Sequence, residues 1–311
     1  MRPGRWISGV FLALLLAGGA LAQSDADIPP LPRPRPDRSA IAAQPQTPAT
    51  EAIDTLTNAP QPVVLTAHIT HDGEAIPDGL VWRVFEATPD ASGEVALVAK
   101  SDEGTARFAL PPGTYMVHVA YGRAQVSQEL TVVPGENDVD VDLEAGALRL
   151  NSLVTGDIPI SPTLLHFDIF TAGAEANRVT LAENLPPNEI VTLNAGTYHI
   201  VARFGSINAA VRADLRVEAG ELTDATLYQR ASEVSFKLVS EEGGEAIADV
   251  EWTVKTGDGT TIFTDRGAFP STVLAEGEYL VLAKQGDQVF NRQIQIQPGS
   301  PREIEVLTSI Y

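Results

Sequence analysis

Five histidines are the side chains in this sequence best suited to metal binding or acid–base chemistry near neutral pH: His68, His71, His118, His166 and His199. His68 and His71 belong to the segment HITH, where their odd offset places the two rings on opposite faces of one strand. His118 and His199 stand at different distances from the tyrosines in two similar segments. The pattern predicts solvated or half-buried strand histidines and no set of metal ligands.

A row of carboxylates offers a second kind of chemistry. The segment NDVDVDLE places Asp138, Asp140 and Asp142 on one face of a predicted strand. Oxygen ligands could attract calcium, but the spacing is not that of an EF-hand loop, because Val139 and Val141 alternate as core residues. An exposed charged face that protects a sheet edge is the alternative. Two similar regions further along show no equivalent row. Whether the three aspartates bind calcium stays open, and we assign no metal site.

Sequence motifs of the common enzyme classes are missing. The chain has no G-x-S-x-G elbow, Walker loop, dinucleotide fingerprint or HExxH motif. Carboxylates are plentiful, so a glycosidase-like pair is not excluded by residue type. We expect no copy of the repeat described below to carry an unusual polar cluster. We therefore predict a non-catalytic protein with no cofactor and no catalytic, cofactor-binding or metal-binding residues.

Residues 1–22 have the layout of a secretory signal peptide. The charged start MRPGR precedes an apolar run that ends in Ala20-Leu21-Ala22. An uncut membrane anchor is the alternative, but the run is short for a span of about 20 residues. The chain has no cysteine, which excludes lipid attachment through a cysteine after the signal and any disulfide. We expect export to the periplasm or beyond, with no membrane insertion after cleavage.

The charge balance limits the partners. Cleavage removes Arg2 and Arg5 and leaves 19 basic residues against 41 acidic ones, a formal charge of −22. Such a chain repels phosphate backbones and anionic lipid surfaces. We therefore predict no nucleic-acid partner and expect a protein or another component of the cell envelope instead.

Residues 23–62 are predicted to be a disordered linker. The segment contains nine prolines and no aromatic residue. It cannot bury enough apolar surface to offset the chain entropy lost on folding, and proline favours extended, semi-rigid conformations. PPLPRPRP could also be a ligand for an aromatic groove, but a tether is the preferred interpretation.

Three similar segments divide the rest of the chain. LPPGTYMVHVAYG, LNAGTYHIVARFG and LAEGEYLVLAKQG share their turn glycine and tyrosine, and Tyr115, Tyr198 and Tyr279 are 83 and 81 residues apart. Upstream aromatic residues and downstream turn glycines recur with similar spacings, which indicates an internal repeat. Short runs rich in β-branched residues alternate with turn residues. We predict three tandem antiparallel β-sandwich domains at 63–145, 146–231 and 232–311.

The repeated segment predicts a turn followed by a core strand. The turn glycine permits positive φ, and alternate residues of the strand then face the core. The predicted inward residues are Tyr115, Val117, Val119 and Tyr121, then Tyr198, Ile200, Ala202 and Phe204, and finally Tyr279, Val281, Ala283 and Gln285. The aligned aromatic residues Trp82, Phe167 and Trp252 are also assigned to the core. A tyrosine just after a turn is similar to the tyrosine corner of immunoglobulin-like sandwiches.

The pattern L-x-x-G-x-Y-x-V with a later V-x-x-G resembles the carboxypeptidase regulatory-like, or transthyretin-like, β-sandwich modules, and also bacterial immunoglobulin-like modules. The resemblance covers residues 63–311. The chain also looks like exported alphaproteobacterial proteins built from such repeats. These families imply adhesion, scaffolding or accessory binding and no catalytic residues.

Three functions follow in order of preference. The first is an exported envelope protein that acts as a structural spacer or protein-interaction module. The second is a glycan- or peptidoglycan-binding protein, for which Tyr121 or Tyr228 could supply an exposed ring. The third is a hydrolase with a site between domains.

Overall fold

A computed structural model describes residues 53, 55, 57–89 and 91–308. The predicted signal peptide and the predicted linker as far as residue 52 lie outside these residues. In the described ranges β-strands are the dominant regular structure, with short 3-10 helices at Pro162–Leu164 and Glu175–Asn177, and no helix there is long and apolar enough to cross a membrane. The predicted fold class, tandem β-sandwiches, is confirmed.

In the described residues, the first sandwich packs a three-stranded sheet against a four-stranded sheet. Its strands are β1 (Gln61–His68), β2 (Leu80–Glu86), β3 (Leu97–Ser101), β4 (Thr105–Leu110), β5 (Gly113–Tyr121), β6 (Ala124–Val132) and β7 (Asn137–Asp142). The strand orders are β4-β1-β7 and β3-β2-β5-β6. Gln61 and Pro62, which were predicted to belong to the linker, are part of β1.

The second sandwich follows after two residues. Its strands are β8 (Ala145–Val154), β9 (Ile158–Pro159), β10 (Leu165–Thr171), β11 (Thr180–Leu185), β12 (Ile190–Asn194), β13 (Gly196–Phe204), β14 (Ala209–Val217) and β15 (Leu222–Gln229). The strand orders are β12-β8-β15, where the short β9 also pairs with β8, and β11-β10-β13-β14.

The third sandwich repeats the arrangement. Its strands are β16 (Ala231–Val239), β17 (Glu251–Thr256), β18 (Thr261–Arg266), β19 (Ser271–Ala275), β20 (Gly277–Gln285), β21 (Gln288–Ile296) and β22 (Arg302–Leu307). The strand orders are β19-β16-β22 and β18-β17-β20-β21. The boundaries 63–145, 146–231 and 232–311 stay a prediction, and the strands that open the sandwiches begin at Gln61, Ala145 and Ala231.

One ladder in each sandwich is parallel, which the sequence analysis did not predict. The first strand pairs in parallel with the last one, β1 with β7, β8 with β15 and β16 with β22. Parallel strands need a long crossover connection, and here the intervening strands supply it. Because the first and last strands run in the same direction, the chain enters each sandwich at one end and leaves at the other, where the next sandwich begins.

The core aromatics lie where the repeat predicts them. Trp82, Phe167 and Trp252 are buried. The indole N–H groups of Trp82 and Trp252 donate to the backbone carbonyls of Glu103 and Gly267 at 3.0 and 2.9 Å. Each buried ring therefore satisfies its polar atom inside the sandwich.

The repeated tyrosines form corners of the predicted kind. The hydroxyls of Tyr115, Tyr198 and Tyr279 each donate to the backbone carbonyl four residues upstream, at 2.9, 2.7 and 2.9 Å. Tyr198 and Tyr279 are buried, and Tyr115 is half-buried. Burial raises the pKa of Tyr198 above its ordinary value. The corner ties the start of each core strand to the turn before it.

Candidate functional site

The HITH histidines meet the acid row of β7 at one end of the first sandwich. In the parallel register Thr66 pairs with Asp140 and His68 pairs with Asp142. His68 Nε2 lies 3.5 Å from Asp140 Oδ1, and His71 Nδ1 lies 2.8 Å from Asp142 Oδ2. The expectation that the two rings face opposite ways does not hold. β1 ends at His68, and His71 lies in the following turn, where strand alternation no longer applies.

These ion pairs do not form a ready metal site. Across the described residues, no three or more His, Asp or Glu side chains are arranged to hold a metal ion. The acid row is partly repeated, contrary to expectation, because the pairing registers place Asp224 of β15 and Glu303 of β22 at the position of Asp138. Asp138 and Asp140 are exposed, and Asp142 is half-buried.

The His71 pair predicts a pH-dependent contact. The hydrogen bond to Asp142, followed by the charges of Asp142, Asp72 and Glu144, raises the pKa of His71 above its ordinary value of 6.5. A raised pKa means that the contact stabilises the fold fully below pH 6.5 and is lost as pH rises through the folded pKa. We expect an NMR titration of the His71 ring to give a pKa above 6.5, and Asp142→Asn to lower it.

His118 is the internal control for this titration. Burial, and secondarily the charge of Arg83, lowers its pKa, and its Nδ1 lies 3.0 Å from Ser127 Oγ. Asp142→Asn should leave the His118 titration unchanged. If the pKa of His71 is at or below 6.5 and does not change in Asp142→Asn, the predicted contact between His71 and Asp142 is wrong.

The second sandwich carries buried charge on the outer face of its four-stranded sheet. Asp168 is buried, and its Oδ2 accepts from Arg203 Nε at 2.7 Å while its Oδ1 accepts from the backbone N–H of Asn184 at 3.0 Å. His199 is also buried, with Nδ1 2.7 Å from Asp214 Oδ1 and with Nε2 lacking a hydrogen-bond partner. The expectation that no copy has an unusual polar cluster therefore fails here.

The unpartnered histidine nitrogens of this sheet face do not reach solvent. His199 packs beside Phe170, with ring centroids 6.4 Å apart, and its unpartnered nitrogen is inaccessible to solvent. A general base must come within hydrogen-bond reach of the proton that it removes. His166 lies on the same sheet face, where its Nδ1 is likewise buried without a partner.

Two equivalent joints connect the sandwiches, and each uses a hairpin glycine. Gly122, between β5 and β6, lies on Thr192 of β12, where an added Cβ would be 3.0 Å from the Thr192 Cβ. Gly205, between β13 and β14, lies on Val273 of β19, where an added Cβ would be 2.7 Å from the Val273 Cβ. The same turn of the third sandwich holds Gly286, which has no such neighbour within 4 Å. The repeated glycine therefore forms the hairpin turn in all three sandwiches, and in the first two it also contacts the next sandwich.

Hydrogen bonds fix the first joint. The backbone N–H of Arg123 donates to the carbonyl of Thr192 at 3.1 Å. Asn194 bridges the two sandwiches: its Oδ1 accepts from the backbone N–H of Gln125 at 3.0 Å, and its Nδ2 donates to the carbonyl of Leu143 at 2.8 Å. One amide side chain therefore holds the hairpin and the connecting segment together.

The second joint is fixed in a similar way from the opposite side. Asn208, in the β13–β14 turn, accepts from the backbone N–H of Ala275 at 2.9 Å and donates to the hydroxyl of Tyr279 at 2.8 Å. Arg230 and Glu276 form an ion pair at 2.6 Å across the joint. A small apolar cluster lies between the sandwiches and includes Phe204, Ala209, Ala231 and Val273.

The most exposed apolar face of the second sandwich is the outer face of its three-stranded sheet β12-β8-β15, here called the platform. Ile190, Leu222 and Tyr228 lie on it with 57%, 46% and 48% of their surface exposed. At its centre Arg149 pairs with Asp224 on the neighbouring strand. This hydrogen bond lowers the pKa of Asp224. The remaining outward positions of the platform are uncharged: Ala147, Asn151, Leu153, Thr226 and, at the first joint, Thr192 and Asn194.

The equivalent faces of the other sandwiches are charged. The first presents Asp138, Asp140 and Asp142 along β7. The third presents Glu303 and Glu305 along β22, both paired with Lys237. At the positions of Asp140 and Asp142 the platform has Thr226 and Tyr228, as the registers show. The platform therefore combines exposed apolar side chains with zero formal charge.

A groove adjoins the platform at the first joint. Its volume is about 320 Å³, and its lining includes Ile69, Tyr121, Thr192, Gly220 and Leu222. Tyr121, proposed from sequence as a sugar-stacking ring, lines this groove. Tyr228, the other proposed ring, lies on the platform, where its hydroxyl donates to Asp157 Oδ1 at 3.0 Å.

Sequence reasoning missed the platform because no single residue marks it. Arg149, Asp224, Ile190 and Leu222 were not singled out. The signal that could have found them is the alternation in LTDATLYQ, residues 222–229, which lacks the full acid row of its counterpart in the first copy.

A family model described as the Rhizobiales growth-associated tandem repeat domain matches residues 233–308. The matched range runs from the start of β16 to just after β22 and so corresponds to the third sandwich. The third sandwich is therefore similar to one unit of a tandem-repeat family. No curated protein matches the chain.

Solved structures that are similar to this chain include two bacterial pilins. The Bacillus anthracis TIE protein is 16% identical, with 80% of this chain and 50% of that chain covered and a TM-score of 0.23. GBS52, the minor pilin of Streptococcus agalactiae, is 13% identical over 54% of this chain and 95% of that chain, with a TM-score of 0.33. BcpA, the major pilin subunit of Bacillus cereus, is 11% identical, with 80% of this chain and 99% of that chain covered and a TM-score of 0.23. The chain thus spans about half the length of the TIE structure.

Proposed function

We propose that this chain is an exported, non-catalytic envelope protein whose three sandwiches form a stiff spacer that presents the platform to a partner. Residues 1–22 act as a cleaved signal peptide, and the proline-rich residues that follow act as a tether. The periplasm is the proposed compartment. The domains are of the carboxypeptidase regulatory-like or transthyretin-like type.

The observation that carries the proposal is the pair of equivalent joints. In both, a hairpin glycine seats one sandwich on the next, and an asparagine side chain bonds across the contact. Domains that move independently meet through sparse contacts and flexible linkers. Here only two residues separate β7 from β8, and one separates β15 from β16.

Limited proteolysis of the full chain tests the spacer. After export, the mature protein should begin at Gln23. Protease should cut first in residues 23–60 and leave 61–308 as one resistant fragment, because cleavage needs local opening. Cutting at residues 143–144 or at Arg230 as readily as in 23–60 would overturn the proposal.

Glycan binding is the second candidate function. It is favoured by Tyr121 in the joint groove and by Tyr228 on the adjoining platform, since aromatic rings pack against apolar surfaces of ligands. Co-sedimentation of the full chain with purified peptidoglycan separates the two functions. Binding that Tyr121→Ala and Tyr228→Ala both abolish would establish this candidate, and absence of binding would remove it.

A further inference from the structure

We propose that the partner of the platform is the platform of a second copy of this chain, packed sheet on sheet. The inference rests on the proposed function, because it names the partner of the same surface.

The register makes the platform complementary to itself. Along β8 and β15 the outward pairs are Ala147 with Leu222, Arg149 with Asp224, Asn151 with Thr226 and Leu153 with Tyr228. Two platforms can face each other about a two-fold axis that runs parallel to the strands, midway between β8 and β15. This axis places β8 of the second copy opposite β15 of the first copy. Each β8 residue then faces its own β15 neighbour from the second copy.

Every contact that results is of a compatible kind. Arg149 faces Asp224 of the second copy, and the two-fold axis makes this contact twice. Leu222 faces the small Ala147, and Tyr228 faces Leu153, so large side chains meet smaller apolar ones. Asn151 faces Thr226, and both can donate and accept hydrogen bonds.

Charge selects this face over its equivalents. The chain carries a formal charge of −20, so two copies repel one another over most of their surface. If the equivalent faces of two first sandwiches or two third sandwiches met, the acidic residues that begin at Asp138 or at Glu303 would face each other. The platform alone among these three faces has zero formal charge, and two copies can meet there without opposing like charges.

The area predicts a weak contact. In this arrangement only β8 and β15 face the second copy, because β12 lies beyond the edge of the facing β15. Eight residues of strand at about 3.3 Å per residue, and two strands about 4.8 Å apart, give a contact of roughly 26 by 10 Å. That is well below the roughly 800 Å² per partner of stable complexes. We therefore expect a weak, reversible dimer.

Sedimentation equilibrium of the full mature chain, from about 10 to 500 μM, tests the inference. Wild type should dimerise, and more tightly in 0.5 M than in 0.05 M salt, because screening removes the repulsion between the two acidic chains. Leu222→Asp and Arg149→Asp should each weaken the dimer about tenfold or more. The reciprocal variant Arg149→Asp with Asp224→Arg should restore it, because the facing pairs are then opposite in charge again.

Val133→Asp is the matched control, since Val133 is an exposed apolar residue of the first sandwich, outside the platform. It should leave the dissociation constant unchanged, and circular dichroism should show that all variants fold. A monomer at every concentration and salt, or a dimer indifferent to Leu222→Asp and Arg149→Asp, would overturn the inference. If the dimer is absent but proteolysis still leaves an intact 61–308 fragment, the proposed spacer function is retained. If both the dimer and the resistant fragment are absent, both proposals are wrong.

Discussion

Replacing Trp252 with alanine should lower the free energy of unfolding of the third sandwich by about 3–5 kcal/mol, the usual cost of truncating a large buried aromatic side chain. The Trp252 ring is buried and stacks on Phe236, with centroids 5.7 Å apart and planes at 27°. Truncation also leaves the carbonyl of Gly267 without its indole donor. Urea unfolding of the full chain, followed by hydrogen exchange of the β17 and β20 amides, measures the loss.

Phe269→Ala is the matched control for this prediction. Phe269 is a large aromatic of the same sandwich, but 60% of its surface is exposed. Its truncation should change the free energy by less than about 0.5 kcal/mol, as for surface residues generally. If the two variants lost similar stability, the assignment of the repeated aromatic to the core would be untenable.

The second large effect is expected at a joint. Gly205 and Gly286 occupy the same hairpin position with positive φ, 71° and 59°. Alanine at either position costs about 1–2 kcal/mol for the left-handed backbone. At Gly205 the new Cβ also meets the Val273 side chain at 2.7 Å, which adds about 1–3 kcal/mol of overpacking.

The joint itself provides a specific readout. The backbone N–H of Ala275 bonds to Asn208 across the second joint, so its hydrogen exchange reports joint opening. Gly205→Ala should speed this exchange, and Gly286→Ala should leave it unchanged. Equal effects of the two variants would mean that Gly205 serves only its own turn.

Local pattern predicted most of the core strand of each sandwich, although Tyr115, Tyr121 and Gln285 are only half-buried. A turn glycine, a tyrosine and a two-residue alternation placed Tyr198 and Ile200 inside, where they are buried, because strand alternation is a property of the backbone itself. The same rule failed for His71, which lies one turn beyond the end of its strand.

Features that depend on distant pairing could not be predicted from the sequence. The parallel ladder of β8 with β15 joins residues 75 positions apart, such as Arg149 and Asp224. Local sequence patterns do not reveal such a pairing. The joints were hidden for another reason: Gly122, Gly205 and Gly286 look identical in the repeat, and only the neighbours that fold against them tell them apart.

The stiffness of the two joints is tested most directly by a distance distribution between spin labels. The chain has no cysteine, so Lys100→Cys in the first sandwich and Asp265→Cys in the third, both exposed, give a unique label pair. We predict one narrow distribution that Gly205→Ala broadens and Gly286→Ala does not. A broad distribution in the otherwise unaltered chain would contradict the account, because the sandwiches would then move independently.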